Sequence, residues 1–404
     1  MRNQRMDIIQ DVLKTGFHEV CIEISGKCNA QCKYCPSGKK TGEQRGMMSP
    51  ETFERVLDKL ISYGIIGEES QIDLFWWGEP LLNPNLNAII EIAQKKGVDY
   101  VLSTNGFYYQ KIPKHLLKGI KRLIISMPGF SQASYDRIHR FDFETIKRNI
   151  RKYAEDMHQA GELDKIWVAY HVYQFNLDEL YDAYNFCKEL QISFNPGYAF
   201  PLLVKERIAY ASNTLPLERK EEMLKEVVTF QLDKMIAESD KENCIYQRRN
   251  FIVDEKANVY GCLNLEHDEQ NYCGNLFEDE IEDIYKKIAN LSICDECIQC
   301  GVAPADISFK FFFDSWFQMM KKTTYLETLC KSEIDNWNRK KQILQIIMNL
   351  RAAEQKKDKQ ELFSKVKDIM LQNEIPKVMI DGEIDKWAMR PCKLQQEFND
   401  FWEQ

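Results

Sequence analysis

No stretch of the 404-residue chain approaches the roughly 20 consecutive apolar residues that cross a bilayer, so no membrane span is expected. The opening residues, MRNQRMDIIQDVLKTGF, carry two arginines but no continuous apolar core and no small-residue cleavage site, which argues against a secretory signal. Glycine (18) and proline (12) are few and no low-complexity tract is present, which excludes collagenous and disordered classes. A basic excess is also missing. Lys and Arg number 54 against 62 Asp and Glu, a formal net charge of −8, so non-specific nucleic-acid binding is not expected. No internal repeat is found. What is left is a globular protein expected in the cytoplasm and long enough for two or three domains.

Cysteine, by contrast, is plentiful. Thirteen are many for a reducing compartment, where clustered thiols bind metal or do redox chemistry more often than they form disulfides. Three fall within residues 28–35, and Cys244, Cys262, Cys273, Cys294, Cys297 and Cys300 crowd into one later segment. Cys330 and Cys392 stand apart. Cys21, alternating with apolar residues in a strand, and Cys187, in an amphipathic helix, read as small core residues.

From residue 19 to about 200, short β-rich runs alternate with helix-period stretches. Strands are expected at 19–24, 71–76, 100–104, 123–126, 166–173 and 192–195. Ser49 and Pro50 begin a helix with Phe53, Val56, Leu57, Leu60 and Ile61 on one face. Further helices are expected with Leu86, Ile89, Ile90 and Ala93 on one side, over 143–153, and over about 177–190. Six strands alternating with helices imply a parallel sheet curled into a partial (β/α)6 TIM-type barrel, an α/β fold whose active site lies at the C-terminal strand ends. The barrel is expected over 1–205, and a helical connector, with one long helix over about 216–239, over 206–240. Residues 241–304 form a small cysteine-rich β-hairpin/α extension, its hairpin strands at 250–253 and 258–260. A helical C-terminal region is expected over 305–404, with an aromatic patch at 309–313 and at Trp316 and Phe317.

Residues 26–35 read GKCNAQCKYC, in a loop directly after the first strand. Thiolates at Cys28, Cys32 and Cys35 can wrap one iron–sulfur cube while leaving its fourth iron without a protein ligand. A closed structural zinc site would use four ligands. On spacing alone, a zinc knuckle or three unrelated thiols stay open. The motif CxxxCxΦC, with Tyr34 as the aromatic, resembles the signature of the radical S-adenosylmethionine (SAM) superfamily. Two later motifs fit the same family in order. Trp77-Gly78-Glu79-Pro80, after the second strand, resembles its GGEP motif, with Trp77 in place of the first glycine. Ser103-Thr104-Asn105-Gly106 ends the third strand, and Ser126 ends the fourth.

The resemblance covers about residues 15–200. It implies that Cys28, Cys32 and Cys35 hold a 4Fe–4S cluster whose open iron is chelated by the amino and carboxylate groups of SAM. It further implies reductive cleavage to methionine and a 5′-deoxyadenosyl radical that abstracts hydrogen from a substrate. Tyr34, Gly78, Glu79, Pro80, Ser103, Asn105 and Ser126 then contact SAM, with Glu79 and the adjoining backbone on its amino group and Tyr34 near the adenine.

The later cysteines resemble the SPASM and twitch extensions of the same superfamily. They depart from the full SPASM pattern, because Cys300 follows Cys297 after two residues rather than five. At least one auxiliary 4Fe–4S cluster is expected on Cys244, Cys262, Cys294 and Cys297. Cys300 and Cys273 are further ligands or spares, possible partners of Cys330 in a second cluster. A structural zinc site is the alternative, since spacing fixes geometry and not metal identity.

The resemblance favours modification of a ribosomally made peptide or protein by cross-linking, epimerisation or oxidation. The alternative is dehydrogenation or epimerisation of a sugar or other small molecule. A different class, a non-catalytic zinc or iron–sulfur interaction protein, would be colourless with stoichiometric zinc if zinc-bound. An electron donor such as flavodoxin or ferredoxin is implied as a partner. No residue is assigned as acid, base or hydrogen-atom donor. His171, Tyr173 and Tyr198 stand where side chains enter a barrel mouth, but such residues are more often wall than catalyst. Cys273 has the chemistry of a hydrogen donor and equally that of a ligand or buried thiol.

Overall fold

The computed structural model describes residues 19–38, 45–67, 70–173, 175, 176, 179–199, 201–212, 214–226 and 250–302, with 364, 367 and 368. Cys244, Cys330, Cys392, the 309–317 aromatic patch and almost all of the expected C-terminal helical region lie outside the described residues.

Nine strands form one sheet in the order β6-β5-β4-β3-β2-β1-β7-β8-β9. The first six are β1 (Glu19–Ile22), β2 (Gln71–Asp73), β3 (Asp99–Thr104), β4 (Ile120–Met127), β5 (Ile166–Val172) and β6 (Ser193–Tyr198), each parallel to the next. This is the mostly parallel sheet with intervening helices expected of an open, partial TIM-type barrel. Alternation along the strands separates its two faces. In β5, Ile166, Val168, Tyr170 and Val172 are buried, whereas Trp167, Ala169 and His171 are half-buried. Pairing places Ser126, Ala169 and Asn195 side by side on the half-open face, with His171 and Gly197 one layer further along.

Helix α1 (Pro50–Ser62) begins as its sequence dictates. Ser49 Oγ accepts from the Thr52 amide at 3.1 Å and proline occupies the first turn. Phe53, Val56, Leu57 and Leu60 are fully buried, but Ile61 is exposed because it lies past the edge of the apolar stripe. Helix α2 (Leu86–Lys95) buries Leu86, Ile89, Ile90 and Ala93. Helix α3 (Phe143–Ala160) runs two turns beyond the expected end, because Ala154 and Met157 continue the stripe until Gly161, at φ +79°, closes it. Helix α4 (Leu180–Glu189) returns the chain to β6. Strand β2 stops three residues earlier than expected, since residues from Leu74 onward leave the ladder for the turn described below.

Beyond the barrel come helices α5 (Val204–Ala211) and α6 (Leu217–Glu226); the rest of the expected long helix lies outside the described residues. Strands β7 (Asn250–Val253) and β8 (Asn258–Tyr260) form the expected hairpin. Its turn is held by Asp254 Oδ1, which accepts from the amides of Lys256 and Asn258, and Ala257 takes φ +66°. A third strand, β9 (Tyr272–Asn275), pairs antiparallel with β8. Helices α7 (Ile281–Ala289) and α8 (Ile293–Gln299) follow. Strand β7 pairs in parallel with β1, residue for residue from Glu19 with Asn250 to Ile22 with Val253, so the cysteine-rich hairpin continues the barrel sheet. Among the described residues no helix is long and apolar enough to cross a membrane.

Candidate active site

The loop after β1 carries Cys28, Cys32 and Cys35, all half-buried and none in a disulfide. It is folded tightly: the Cys35 amide donates to Cys32 O at 3.3 Å and the Gly38 amide to Cys35 O at 3.2 Å. Burial, with the charge of Glu79 beside it, pushes the Cys28 thiol up to about 12. Burial raises Cys32 too, and next come the charges of Cys35 and Cys28. Cys28 and Cys32 therefore sit in a poorly hydrated site in which neither would ionise alone. A bound cationic centre reverses that preference, because metal-bound thiols are deprotonated outright. Three soft thiols are a donor set that fits an iron–sulfur cube with one iron left open.

The turn after β2 lies against this loop. A Cβ on Gly78 would sit 1.7 Å from Ser25 O, so glycine is obligatory for the close approach, and the next amide, of Glu79, donates to Lys27 O at 2.8 Å. The Glu79 carboxylate is 3% exposed. It accepts from the amides of Asn105 (2.8 Å) and Leu81 (3.1 Å) and from the Thr104 hydroxyl, yet burial outweighs these bonds and lifts its pKa to about 7. Pro80 opens the short 3₁₀ turn Pro80–Leu82 that Glu79 caps. Asn105 joins the two segments: its Nδ2 donates to Asn29 Oδ1 at 2.8 Å and reaches Cys28 Sγ at 4.0 Å. Cys28, Glu79 and Asn105 are thereby gathered at the ends of three adjacent strands. Ser103 and Ser126 are half-buried on β3 and β4.

Tyr34 is 3% exposed. Its hydroxyl donates to Glu226 on α6 at 2.8 Å, and its ring stacks 6.2 Å from Tyr173 with the Arg219 guanidinium 5.2 Å above it. Lys33 bridges Glu222 and Glu226, both at 2.7 Å. Helix α6 thus clasps the cysteine loop, a contact that the sequence signature does not reveal. His171 and His139 are both kept neutral by burial, at about 4 and about 3, so neither is a general acid near neutrality.

The turn is also held from behind. Glu23, the residue after β1 and fully buried, accepts with one oxygen from the amides of Trp77 and Gly78, both at 2.8 Å. Its other oxygen accepts from Arg45 Nη2 at 2.5 Å and faces His267 Nε2 at 2.8 Å. Burial alone would raise the Glu23 pKa, but the His267 and Arg45 contacts outweigh it and hold the group below the usual carboxylate value. Glu23 is therefore ionised, and His267 must be the donor through Nε2. The Trp76 indole donates to Leu263 O (2.8 Å) and the Trp77 indole to Leu265 O (2.9 Å). That accounts for Trp77 at a glycine position: its amide does the backbone work while its side chain reaches the cysteine-rich loop.

In that loop, Asn271 Oδ1 accepts from the amides of Gly261 and Cys262, and its Nδ2 donates to Cys262 O at 2.9 Å. Cys273 is fully buried, and burial pushes its thiol up to about 12, with a smaller contribution from Cys262 nearby. Cys294 and Cys297 sit one turn apart on α8, both buried, with Cys300 at its C-terminal end. The structure thus brings Cys262 beside Cys273, and Cys294 beside Cys297.

Residues 22–187 match the Radical SAM superfamily model. The chain is 28% identical over 250 residues to a probable GTP 3′,8-cyclase of Methanocaldococcus jannaschii, covering 61% of this chain and 76% of the cyclase. It is 31% identical over 104 residues to the antilisterial bacteriocin subtilosin biosynthesis protein AlbA of Bacillus subtilis, covering 26% of this chain and 22% of AlbA. The chain spans about half the length of several other curated relatives it matches. Among solved structures, Streptococcus suis SuiB bound to precursor peptide SuiA superposes with a TM-score of 0.49 at 14% identity, over 74% of each chain. Residues 22–187 are thus a radical SAM domain, and the chain that carries it is an enzyme.

Proposed function

We propose that the enzyme binds SAM on the Cys28/Cys32/Cys35 site and uses it to modify a ribosomally made peptide or protein. The observation that carries the first half is the seam between two loops. Glu79 N meets Lys27 O, and Asn105 spans Glu79 and Cys28, so a buried carboxylate stands beside three thiols that leave an iron open. A cluster held there would supply the one electron that cleaves SAM to methionine and a 5′-deoxyadenosyl radical, which would take hydrogen from the substrate.

The chain's residues prepare that event. Cys28, Cys32 and Cys35 hold the cluster, and Glu79 receives the SAM ammonium as its carboxylate. Asn105 and Pro80 fix the carboxylate, Gly78 lets the backbone approach, and Ser103 and Ser126 line the remaining cofactor surface, with Tyr34 beneath α6 behind the cysteine loop. Tyr173 and α6, packed on the cysteine loop, keep water from it.

The peptide reading is supported by the SPASM-like cysteines, which stand on a hairpin continuous with the barrel sheet, and by the similarity to a protein of bacteriocin biosynthesis. Cys262, Cys294 and Cys297, with Cys244 and with Cys300 adjoining, hold at least one auxiliary 4Fe–4S cluster. Anaerobically reconstituted protein is then brown and holds about eight irons. Replacing Cys294 and Cys297 together with alanine lowers the iron content by about half, while SAM cleavage without substrate continues. Unchanged iron in that variant rejects the auxiliary site.

A small-molecule substrate is the second reading, favoured by similarity to the GTP cyclase. Co-expression with short peptides encoded beside the gene, followed by mass spectrometry and chiral amino-acid analysis, separates the two. A mass or stereochemical change in the peptide supports the first reading. Substrate-dependent 5′-deoxyadenosine release with nucleotides or sugars, and none with peptides, supports the second.

A further inference from the structure

We infer that His267 and Arg45 are positioning residues for SAM capture, acting through the Glu23 carboxylate to fix the turn that carries Glu79. This rests on the assignment of Glu79 to the SAM ammonium.

The geometry assigns each atom of the relay. One Glu23 oxygen is spent on the Trp77 and Gly78 amides, both at 2.8 Å, which immediately precede Glu79. The other is shared by Arg45 and His267. A carboxylate buried this deeply points its lone pairs where charged or polar donors hold it, because rotating it away would strand those donors. Arg45 is itself braced: its Nη1 donates to Glu255 Oε2 at 2.9 Å, and Glu255 Oε1 accepts from the Gly46 amide at 3.0 Å. His267 packs in a cluster with two aromatic rings, tilted 4.2 Å from Trp76 and edge-on 5.0 Å from Tyr260, which themselves lie 5.3 Å apart. Both braces come from the hairpin segment, Glu255 in its turn and His267 five residues past Cys262. Together with the two indole bonds to Leu263 and Leu265, they make the cysteine-rich loop the outer wall of the SAM-binding turn. Neither His267 nor Arg45 need touch SAM. Their work is to keep Glu79 and its flanking peptide at the distance from Cys28 that simultaneous chelation and ammonium binding demand.

His267→Leu removes the donor while keeping an apolar body against Trp76. His267→Gln keeps a donor of similar reach. In reconstituted enzyme, His267→Leu is expected to raise the SAM KM for 5′-deoxyadenosine release by about tenfold with little change in kcat, the loss of one charge-assisted hydrogen bond. The Gln variant recovers most of it. Hydrogen exchange gives a readout apart from activity: the peptide containing Trp77 and Gly78 exchanges faster in His267→Leu, while β3 and β4 stay protected. If His267→Leu lowers Tm or raises exchange across the whole sheet but leaves the SAM KM unchanged, the relay is merely structural and the inference fails. Glu79→Gln in parallel tells the two failures apart. If it too leaves the SAM KM unchanged, the assignment of Glu79 is at fault; if it raises KM while His267→Leu does not, only the relay is wrong.

Discussion

Replacing Glu79 with glutamine is expected to raise the SAM concentration for half-maximal 5′-deoxyadenosine release by roughly 30- to 150-fold. That range follows from losing a hydrogen-bonded charge worth about 2–3 kcal/mol. Both Glu79 oxygens accept backbone amides, from Asn105 and Leu81, so the glutamine NH₂ must also face one of those donors and loosen the turn. The wild-type group brings its own pH signature. With a pKa near 7, Glu79 loses its charge as the medium turns acid, so kcat/KM for SAM falls as pH drops through about 7. At saturating SAM the bound ammonium favours the carboxylate, and the fall moves to lower pH. The glutamine variant lacks this limb, which a pair of pH profiles checks. Stability runs the other way. The folded pKa lies above the ordinary 4.5, so the contribution of this group is fully present below about 4.5 and is lost as pH rises through about 7.

Replacing Cys28, Cys32 and Cys35 together with alanine is expected to reduce 5′-deoxyadenosine release to the no-enzyme background and to remove about four irons from the reconstituted protein. The effect is all-or-none because the three thiols act as one donor set in one site. The fold should survive, since the loop backbone is fastened elsewhere: Gly26 N to Gly46 O, Glu79 N to Lys27 O, and Gln31 N to His139 O. A folded variant with full SAM cleavage would contradict the assignment.

Local chemistry made much of this legible in advance. A glycine-opened turn ending in a carboxylate, three thiols at fixed spacing, and the Ser49-Pro50 helix start are written in neighbouring residues, and the first two follow adjoining strands. What escaped was non-local. Nothing in Val20–Ile22 or Phe251–Val253 announces that these apolar runs pair in parallel across more than two hundred residues. Strand β9 reads Tyr-Cys-Gly-Asn, without the alternation that marks a strand, and forms because β8 offers it a partner. Glu23 falls within the strand expected over 19–24, and the strand pattern assigns it no role. An acid flanked by isoleucines was the available signal, and its meaning came only from Arg45 and His267 arriving from distant loops. Likewise Glu226 shows its role only once α6 is seen on Tyr34.

The most direct test of the account is the electron paramagnetic resonance spectrum of anaerobically reconstituted, reduced protein, recorded without and with SAM. A SAM-dependent change in the signal of a reduced 4Fe–4S cluster, absent from the Cys28/Cys32/Cys35 variant, is the result expected of an iron that the polypeptide leaves free. A signal indifferent to SAM, or a colourless protein with stoichiometric zinc on those cysteines, would contradict it.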